Sequence, residues 1–381
     1  MSLEYLQPLR KDLLPGLDNL APDSIGFSME VYGYNSDVFP EFQEKDIAIL
    51  SVGGSAENQE NGFYSIRGEF YQLYKGNWTN NLLDLGHLFE GETDRDTQYA
   101  LSKICEELLM KKVIPVVLGA KHSLTYSCYR AYDNLEQTVN LCSVDSKFNF
   151  GTFSDEIKDE SFLSSIIMDE PNNLFNFSNI GYQTYLVPQA EVDLIEGLGF
   201  DAIRLGEAKN LKSIEPICRD ADLVSIDLES IRCSESPAVK NAGPNGFYGD
   251  EVCAISRYAG ISDKLSLFGI FGFDPSLDTR GQSAKLVAQM IWYFAEGVNF
   301  RANDFPFGAK TNYFKYIVPH QEDGINFYKS DKTERWWMEV EINSVSKHSR
   351  HSLVPCSYED YLEACDQQIP ERWYRAQKKL A

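Results

Sequence analysis

Val113-Ile114-Pro115-Val116-Val117-Leu118-Gly119-Ala120-Lys121-His122-Ser123 is the stretch on which the fold turns. Its first half is a continuous apolar run rich in β-branched residues, the composition of a strand buried on both faces. It then breaks on Gly119-Ala120 and delivers a polar cluster that ends in His122 and Ser123. Similar runs predict strands at Asp46–Val52, Val113–Gly119, Val139–Asp145, Asn179–Leu186, Asp201–Leu205, Asp222–Leu228 and Leu265–Phe273. Helical patterns lie between them. From Thr93 to Lys112, Leu101, Ile104, Cys105, Leu108 and Leu109 recur at i, i+3, i+4 spacing, which predicts an amphipathic helix. Further helices are predicted at Ser123–Asp133, Pro188–Leu198, Asp250–Tyr258 and Ser283–Gly297, the last with Gly297 as its stop. Strand and helix alternate over about two-thirds of the chain, the pattern of a mostly parallel sheet covered by helices on both faces.

Beyond residue 300 the alternation loosens. Asn303 to Phe314 is rich in Pro, Gly and aromatics, and Pro319 to Thr333 is polar. Arg335–Ile342 then reads as a strand whose alternation puts Trp336 and Trp337 on opposite faces, and Tyr358–Ala364 and Pro370–Leu380 read as short helices. Trp336 and Trp337, with Trp373 and Tyr374, suit either core or a self-association surface. Residues 1–300 are expected to form the α/β domain, with 301–381 a C-terminal extension packed on it.

The chain has 381 residues, 43% of them hydrophobic and 24% charged, the balance of a globular protein with a sizeable core. With 35 Lys plus Arg against 57 Asp plus Glu, its net charge of −22 repels phosphate backbones and anionic bilayers, so nucleic acid and membranes are not expected partners. That acidity suits a small cationic ligand, and solubility explains it equally well. The start, MSLEYLQPLRKDLLPGL, lacks the apolar stretch of a signal peptide, and no run approaches the ~20 residues that span a bilayer. Eight scattered cysteines without a C-x-x-C pair suit reduced, mostly buried thiols and a cytoplasmic location.

In open α/β sheets, functional groups gather at the carboxyl ends of strands. Three predicted ends carry them: Gly119-Ala120-Lys121-His122, Asp145-Ser146-Lys147-Phe148-Asn149 and Ser225-Ile226-Asp227-Leu228-Glu229. In the last two, polar groups at alternate positions would point to one side of an extended backbone. A histidine at the mouth of a helix is more often a structural hydrogen-bonder than a ligand.

Together the three segments resemble, in order and approximate spacing, the G-G-D-H, D-A-H-x-D and S-x-D-x-D metal motifs of the ureohydrolase superfamily (arginase, agmatinase and formimidoylglutamase). The resemblance covers roughly residues 45 to 300, and the surrounding VIPVVLG, SLTYSCYRAY and IGYQTY bring it closest to formimidoylglutamase-like proteins. It implies the arginase-like three-layer α-β-α fold and a homo-oligomer. It also implies two manganese ions, one held by residues matching His122, Asp145, Asn149 and Asp227, the other by residues matching Lys147, Asp145, Asp227 and Glu229. Such a pair activates a shared water as hydroxide for attack on a guanidinium or formimino carbon.

The departures decide the functional expectation. Lys147 stands in place of a ligand histidine, and an ammonium has no lone pair for a metal. The ammonium is expected to occupy the second ion's place. Asn149 replaces a carboxylate, and Lys121 replaces the acidic residue that orients the histidine. The family's E-x-N-P segment stands here as Gly272-Phe273-Asp274-Pro275, without the acidic group that contacts substrate, and His87, His320, His348 and His351 lie outside the region of the family's catalytic histidine. The expectation is a pseudoenzyme with no confident catalytic residue and no metal, or at most one weak ion at His122, Asp145, Asn149 and Asp227. The alternative is a divergent hydrolase of linear amidine C–N bonds using one Mn2+ there.

Overall fold

The computed structural model describes residues 2–14, 20–36, 38–54, 63–152, 156–306, 312–320, 324–342 and 350–380. Strands β1 to β9 are Glu30–Val31, Ile47–Val52, Leu82–Leu88, Ile114–Gly119, Val139–Val144, Leu174–Tyr182, Asp201–Arg204, Leu223–Asp227 and Leu267–Phe271. They form one sheet in the order β1-β3-β2-β4-β9-β8-β5-β6-β7. Every pairing in it is parallel. Strands β10 to β13, Tyr313–Val318, Ile325–Ser330, Trp336–Ile342 and Arg350–Cys356, make a second, antiparallel sheet. Helices α1 to α12 are Ile25–Ser28, Tyr64–Tyr71, Asp94–Met110, Leu124–Arg130, Phe162–Met168, Gln189–Gly197, Leu205–Ala208, Leu211–Asp220, Gly249–Gly260, Gln282–Asn299, Tyr358–Cys365 and Glu371–Leu380.

Alternate side chains of each central strand enter opposite apolar layers, as period-two geometry requires. Val116 and Leu118 pack with residues of α2, α8, α9 and α10. Val117 packs with residues of α3, α4, α5 and α6. The three-layer α-β-α architecture read from the sequence is therefore present. Helix α3 begins where Thr93 accepts a hydrogen bond from Asp96 N and the Asp96 carboxylate caps Thr93 in return. Among the described residues, no helix is long and apolar enough to cross a membrane.

Several boundaries depart from expectation, each for a physical reason. The strand placed at Asn179–Leu186 is Leu174–Tyr182. Its early half reads as polar because Asn176 and Ser178 donate hydrogen bonds to Asp201 of the neighbouring strand. Helix α10 does not stop at Gly297 but runs to Asn299. A Cβ at Gly297 would lie 2.6 Å from Arg257 O and 2.9 Å from Gly260 Cα, so this glycine lets α9 and α10 approach. Strand β3 was not predicted: LLDLGHL carries Asp84 and His87, both fully buried in a network with Arg67, Tyr71 and Ser51.

The second sheet meets the first unit through Arg219 of α8. Its guanidinium lies 4.5 Å from the Trp337 ring centre and donates to the carbonyls of Trp336 and Cys356 at 3.2 and 3.1 Å. Trp336 faces the other way and stacks on Tyr361 of α11 at 4.8 Å. Both tryptophans are buried. His348 lies outside the described residues.

Candidate metal centre

Strands β4, β8 and β5 run parallel with β9 between the first two, so their carboxyl ends open on one edge of the sheet. The turn after β4 supplies His122, the end of β5 supplies Asp145, and the end of β8 supplies Asp227. All three are buried, and one candidate ligand atom from each lies within 4.8 Å of the others. His122 Nδ1 is 3.0 Å from Asp145 Oδ2 and 3.2 Å from Asp227 Oδ2. Its Nε2 lies 2.9 Å from the Ser225 hydroxyl, which pairs with Thr125 at 2.6 Å. The rings of Phe162 and Phe271 flank the imidazole at 4.8 and 5.8 Å.

Burial by itself lowers a histidine pKa, but the Asp227 and Asp145 carboxylates outweigh it and push His122 up to about 10. The ring is therefore an imidazolium at neutral pH. Its Nδ1 carries a proton on the side where a metal would need a lone pair. Asp227 is pushed up to about 6 by burial, opposed by His122 and reinforced by Asp145 and Glu229.

Lys147 and Glu229 lie at the mouth of the cluster. The Lys147 ammonium donates to Glu229 Oε2 at 3.1 Å, while Asn241 donates to Glu229 Oε1 at 2.8 Å. Both oxygens of Glu229 thus have a donor. Burial would lower the Lys147 pKa, yet Glu229, Asp145 and Asp227 together hold it above the ordinary lysine value. The backbone keeps the pair in register: Lys147 N donates to Asp145 Oδ1 at 3.0 Å, Glu229 N donates to Asp227 Oδ1 at 2.9 Å, and Asn179 anchors the Lys147 carbonyl at 2.8 Å.

Asn149 adopts a left-handed backbone with φ 56°, which asparagine tolerates better than most residues. Its amide nitrogen donates to Asp145 Oδ2 at 2.5 Å and lies 3.3 Å from His122 Nδ1. A donor, not an acceptor, faces the cluster. The chain therefore brings together His122, Asp145, Asn149 and Asp227, with Lys147 and Glu229 alongside.

Lys121 is a correction. It does not enter the cluster or touch His122; its ammonium pairs with Asp94 at 2.9 Å and Glu90 at 3.4 Å on the outer side. Adjacent residues leave the turn in different directions, and the start of α3 with the loop before it offers carboxylates there. Two positions beside the cluster were quoted in the sequence as motif letters without the structural role they take. Ser225 was quoted only as the first letter of its motif, yet it bonds the far side of the imidazole. Gly272 has φ 85°, and a Cβ there would stand 2.6 Å from Asp227 Oδ1. Where the family motif has Glu, this chain has a residue whose missing side chain makes room for Asp227. Asp274, the other polar residue of that segment, is spent on the backbone N–H and hydroxyl of Ser276.

A profile of the arginase family matches residues 60–296. This chain belongs to the arginase family. The family's formimidoylglutamases include two curated relatives. That of Staphylococcus haemolyticus is 22% identical over 237 residues, covering 60% of this chain and 76% of that protein. That of Bacillus subtilis is 23% identical over 200 residues, covering 49% and 61%. Among solved structures, the formimidoylglutamase from Bacillus subtilis superposes with a TM-score of 0.61 at 16% identity, over 73% of this chain and 92% of that one. Trypanosoma cruzi formiminoglutamase with Mn2+ gives 0.59 at 16% identity, over 68% and 94%. These structures support the arginase fold. The part of the chain beyond residue 300, with the antiparallel sheet, lies outside the family match.

An arginase-family binuclear centre can be tested against these donors. At the second position the chain offers an ammonium already bonded to Glu229, so the residues do not fit an ion there. At the first position His122, Asp145 and Asp227 fit one hard or borderline ion in donor type, provided the imidazole gives up its Nδ1 proton.

Proposed function

We propose that this arginase-family member has lost binuclear metal hydrolysis and acts through binding, as a pseudoenzyme whose charge cluster is closed by its own cations. The observation that carries the reading is the Lys147 ammonium 3.1 Å from Glu229 Oε2, beside Asp145 and Asp227. Three carboxylates, those of Asp145, Asp227 and Glu229, face two internal cations, His122 and Lys147. A proton and an ammonium thereby supply the positive charge that metal ions would bring. Hydrolysis of an amidine needs a water activated by such ions, and no step can be routed through a second ion here.

Buried ion clusters are not in themselves strongly stabilising, because each desolvated charge costs several kcal/mol that good geometry must offset. The geometry here supports retention for shape: the cluster ties three strand ends and two turns together. The same reading treats residues 1–300 as the arginase-like unit and 301–381 as an extension carried on it. It places the protein in the cytoplasm and assigns its activity to assembly with copies of itself or recognition of a small cationic ligand.

A second reading has its own observation. The ligand atoms of His122, Asp145 and Asp227 lie within 4.8 Å of one another, which supports a single Mn2+ in competition with the His122 proton. In that case the chain is a divergent hydrolase of formimidoylglutamate-like or guanidino substrates. Formamide and glutamate release from formimidoylglutamate, and urea release from arginine and agmatine, measured with millimolar Mn2+ between pH 7 and 9.5, separate the two. The pseudoenzyme reading expects no turnover above the protein-free rate at any pH. Turnover that rises with pH as His122 loses its proton supports the single-ion hydrolase instead.

A further inference from the structure

The opposite edge of the sheet holds a cavity of about 460 Å3. It lies between the starts of β5, β6 and β7 and the C-terminal unit, where α12 and β13 form its outer wall. Asn140 and Leu141 at the start of β5 line it, whereas Asp145 of the charge cluster follows the end of the same strand. At ~3.3 Å per residue the two places are separated by most of a strand length.

The charge of its wall runs against that of the chain. The protein carries a net charge of −22, yet among the described residues the cavity is lined by Lys264, Arg372, Arg375 and Lys379 against only Asp201 and Asp220. Both carboxylates are engaged. Asp220 pairs with Lys264 at 3.3 Å, and Asp201 accepts from Arg375 at 3.0 Å as well as from Asn176 and Ser178. Arg372 and Lys379 donate no hydrogen bond to a carboxylate among the described residues, although both lie near enough to Asp201 to lower its pKa. The Arg372 guanidinium donates to the Ser213 carbonyl at 3.3 Å and approaches Asp360 no nearer than 3.9 Å. The Lys379 ammonium bonds the amide oxygen of Asn176, a neutral acceptor, and lies 5.3 Å from the Phe200 ring. Burial, with a smaller push from the neighbouring Arg375, pulls the Lys379 pKa down although Asp201 and Asp220 oppose it. The remaining wall mixes apolar side chains, Leu141, Phe175, Pro306 and Leu353, with uncharged polar ones such as Asn140 and Asn176.

We propose that this cavity binds a small amphipathic anion, a carboxylate or phosphate ester on an apolar body, with Lys379 and Arg372 taking the charged head. Its volume falls within the range of ordinary small-molecule sites. Apolar side chains such as Leu141, Phe175, Pro306 and Leu353 are available to the ligand's body while Lys379 and Arg372 of α12 take its head. The site is independent of the charge cluster and stands whether or not that cluster holds an ion.

Titration calorimetry on the full chain tests the assignment with benzoate and phenyl phosphate as probes, benzamide as the neutral analogue and inorganic phosphate as the head alone. One or both aromatic anions should bind, benzamide and inorganic phosphate at least 10-fold more weakly, and the stronger aromatic anion names the head chemistry. Lys379→Gln combined with Arg372→Gln should weaken binding about 10-fold or more, the loss expected for charge-assisted hydrogen bonds. Ala376→Trp, which fills the cavity from α12 without touching its charges, should abolish binding while circular dichroism stays native. Lys147→Gln should leave it unchanged. The assignment fails if neither aromatic anion binds, if binding survives Ala376→Trp in a folded protein, or if Lys147→Gln removes it.

Discussion

Replacing His122 by glutamine keeps a side chain of similar reach and a neutral donor but removes the imidazolium held between Asp145 and Asp227. The magnitude follows from the structure. Folding raises the His122 pKa from 6.5 to about 10 because the two carboxylates outweigh burial. A raised pKa means that the protonated ring stabilises the native state fully below pH 6.5, and that this contribution is lost as pH climbs through about 10. At ~1.36 kcal/mol per pH unit the full contribution is roughly 4–5 kcal/mol, of which about 3 kcal/mol disappears between pH 6.5 and 9.5. Asp227, raised to about 6, works with the same sign at lower pH.

Urea unfolding at pH 6.5 and 9.5 reads the effect as a difference between native and His122→Gln proteins, so that groups titrating outside the cluster cancel; Asp227, released from His122, titrates higher in the variant and makes the expected difference an upper bound. The native protein should lose up to about 3 kcal/mol more than the variant over that interval. Carbon-13 NMR of the histidine Cε1 signals gives the same answer directly, with one of the five histidines remaining charged to about pH 10. A His122 signal titrating near 6.5, or equal pH dependence in the two proteins, refutes the protonated-cluster account.

Other outcomes follow from the same contacts. Lys147→Met leaves Asp145, Asp227 and Glu229 with one internal cation fewer, so Mn2+ binding followed by electron paramagnetic resonance should tighten relative to the native chain. Arg219→Leu removes the guanidinium that sits on Trp337 and bonds two carbonyls of the second sheet, costing about 3 kcal/mol. Limited proteolysis should then release the C-terminal part first. Gly297→Ala forces a Cβ within 2.6 Å of Arg257 O between α9 and α10, so a loss of about 1–3 kcal/mol is expected on thermal or urea unfolding.

The legible part of the fold was the part held by apolar side chains alone. Strands β2, β4, β5, β8 and β9 are continuous buried runs, and hydropathy marks them within two residues. Strand β3 escaped because Asp84, Gly86 and His87 read as loop, while the groups that satisfy them, Arg67 and Tyr71, arrive from α2. No local pattern encodes a buried network whose partners lie some 17 residues away. The second sheet was seen only at Trp336–Ile342, since β10 carries largely exposed residues and β13 contains Pro355, which sequence patterns read as non-strand.

The candidate centre was legible as three strand ends because a parallel sheet delivers its carboxyl ends to one edge. The Lys147–Glu229 pair follows from the chemistry of an ammonium among carboxylates and was foreseeable. The destination of Lys121 was not: whether a residue next to His122 points in or out depends on where α3 places Asp94. The donor face of Asn149 was equally hidden, being set by its left-handed backbone and the position of Asp145.

The central claim is that the protein's own cations have displaced the binuclear centre, and metal content tests it most directly. Elemental analysis after dialysis against Mn2+ and desalting compares the native chain with Lys147→His combined with Asn149→Asp, which restores an imidazole at the second position and a carboxylate at the first. The account predicts little or no manganese on the native chain and a clear gain on the double variant. Near-stoichiometric manganese on the native chain would contradict it.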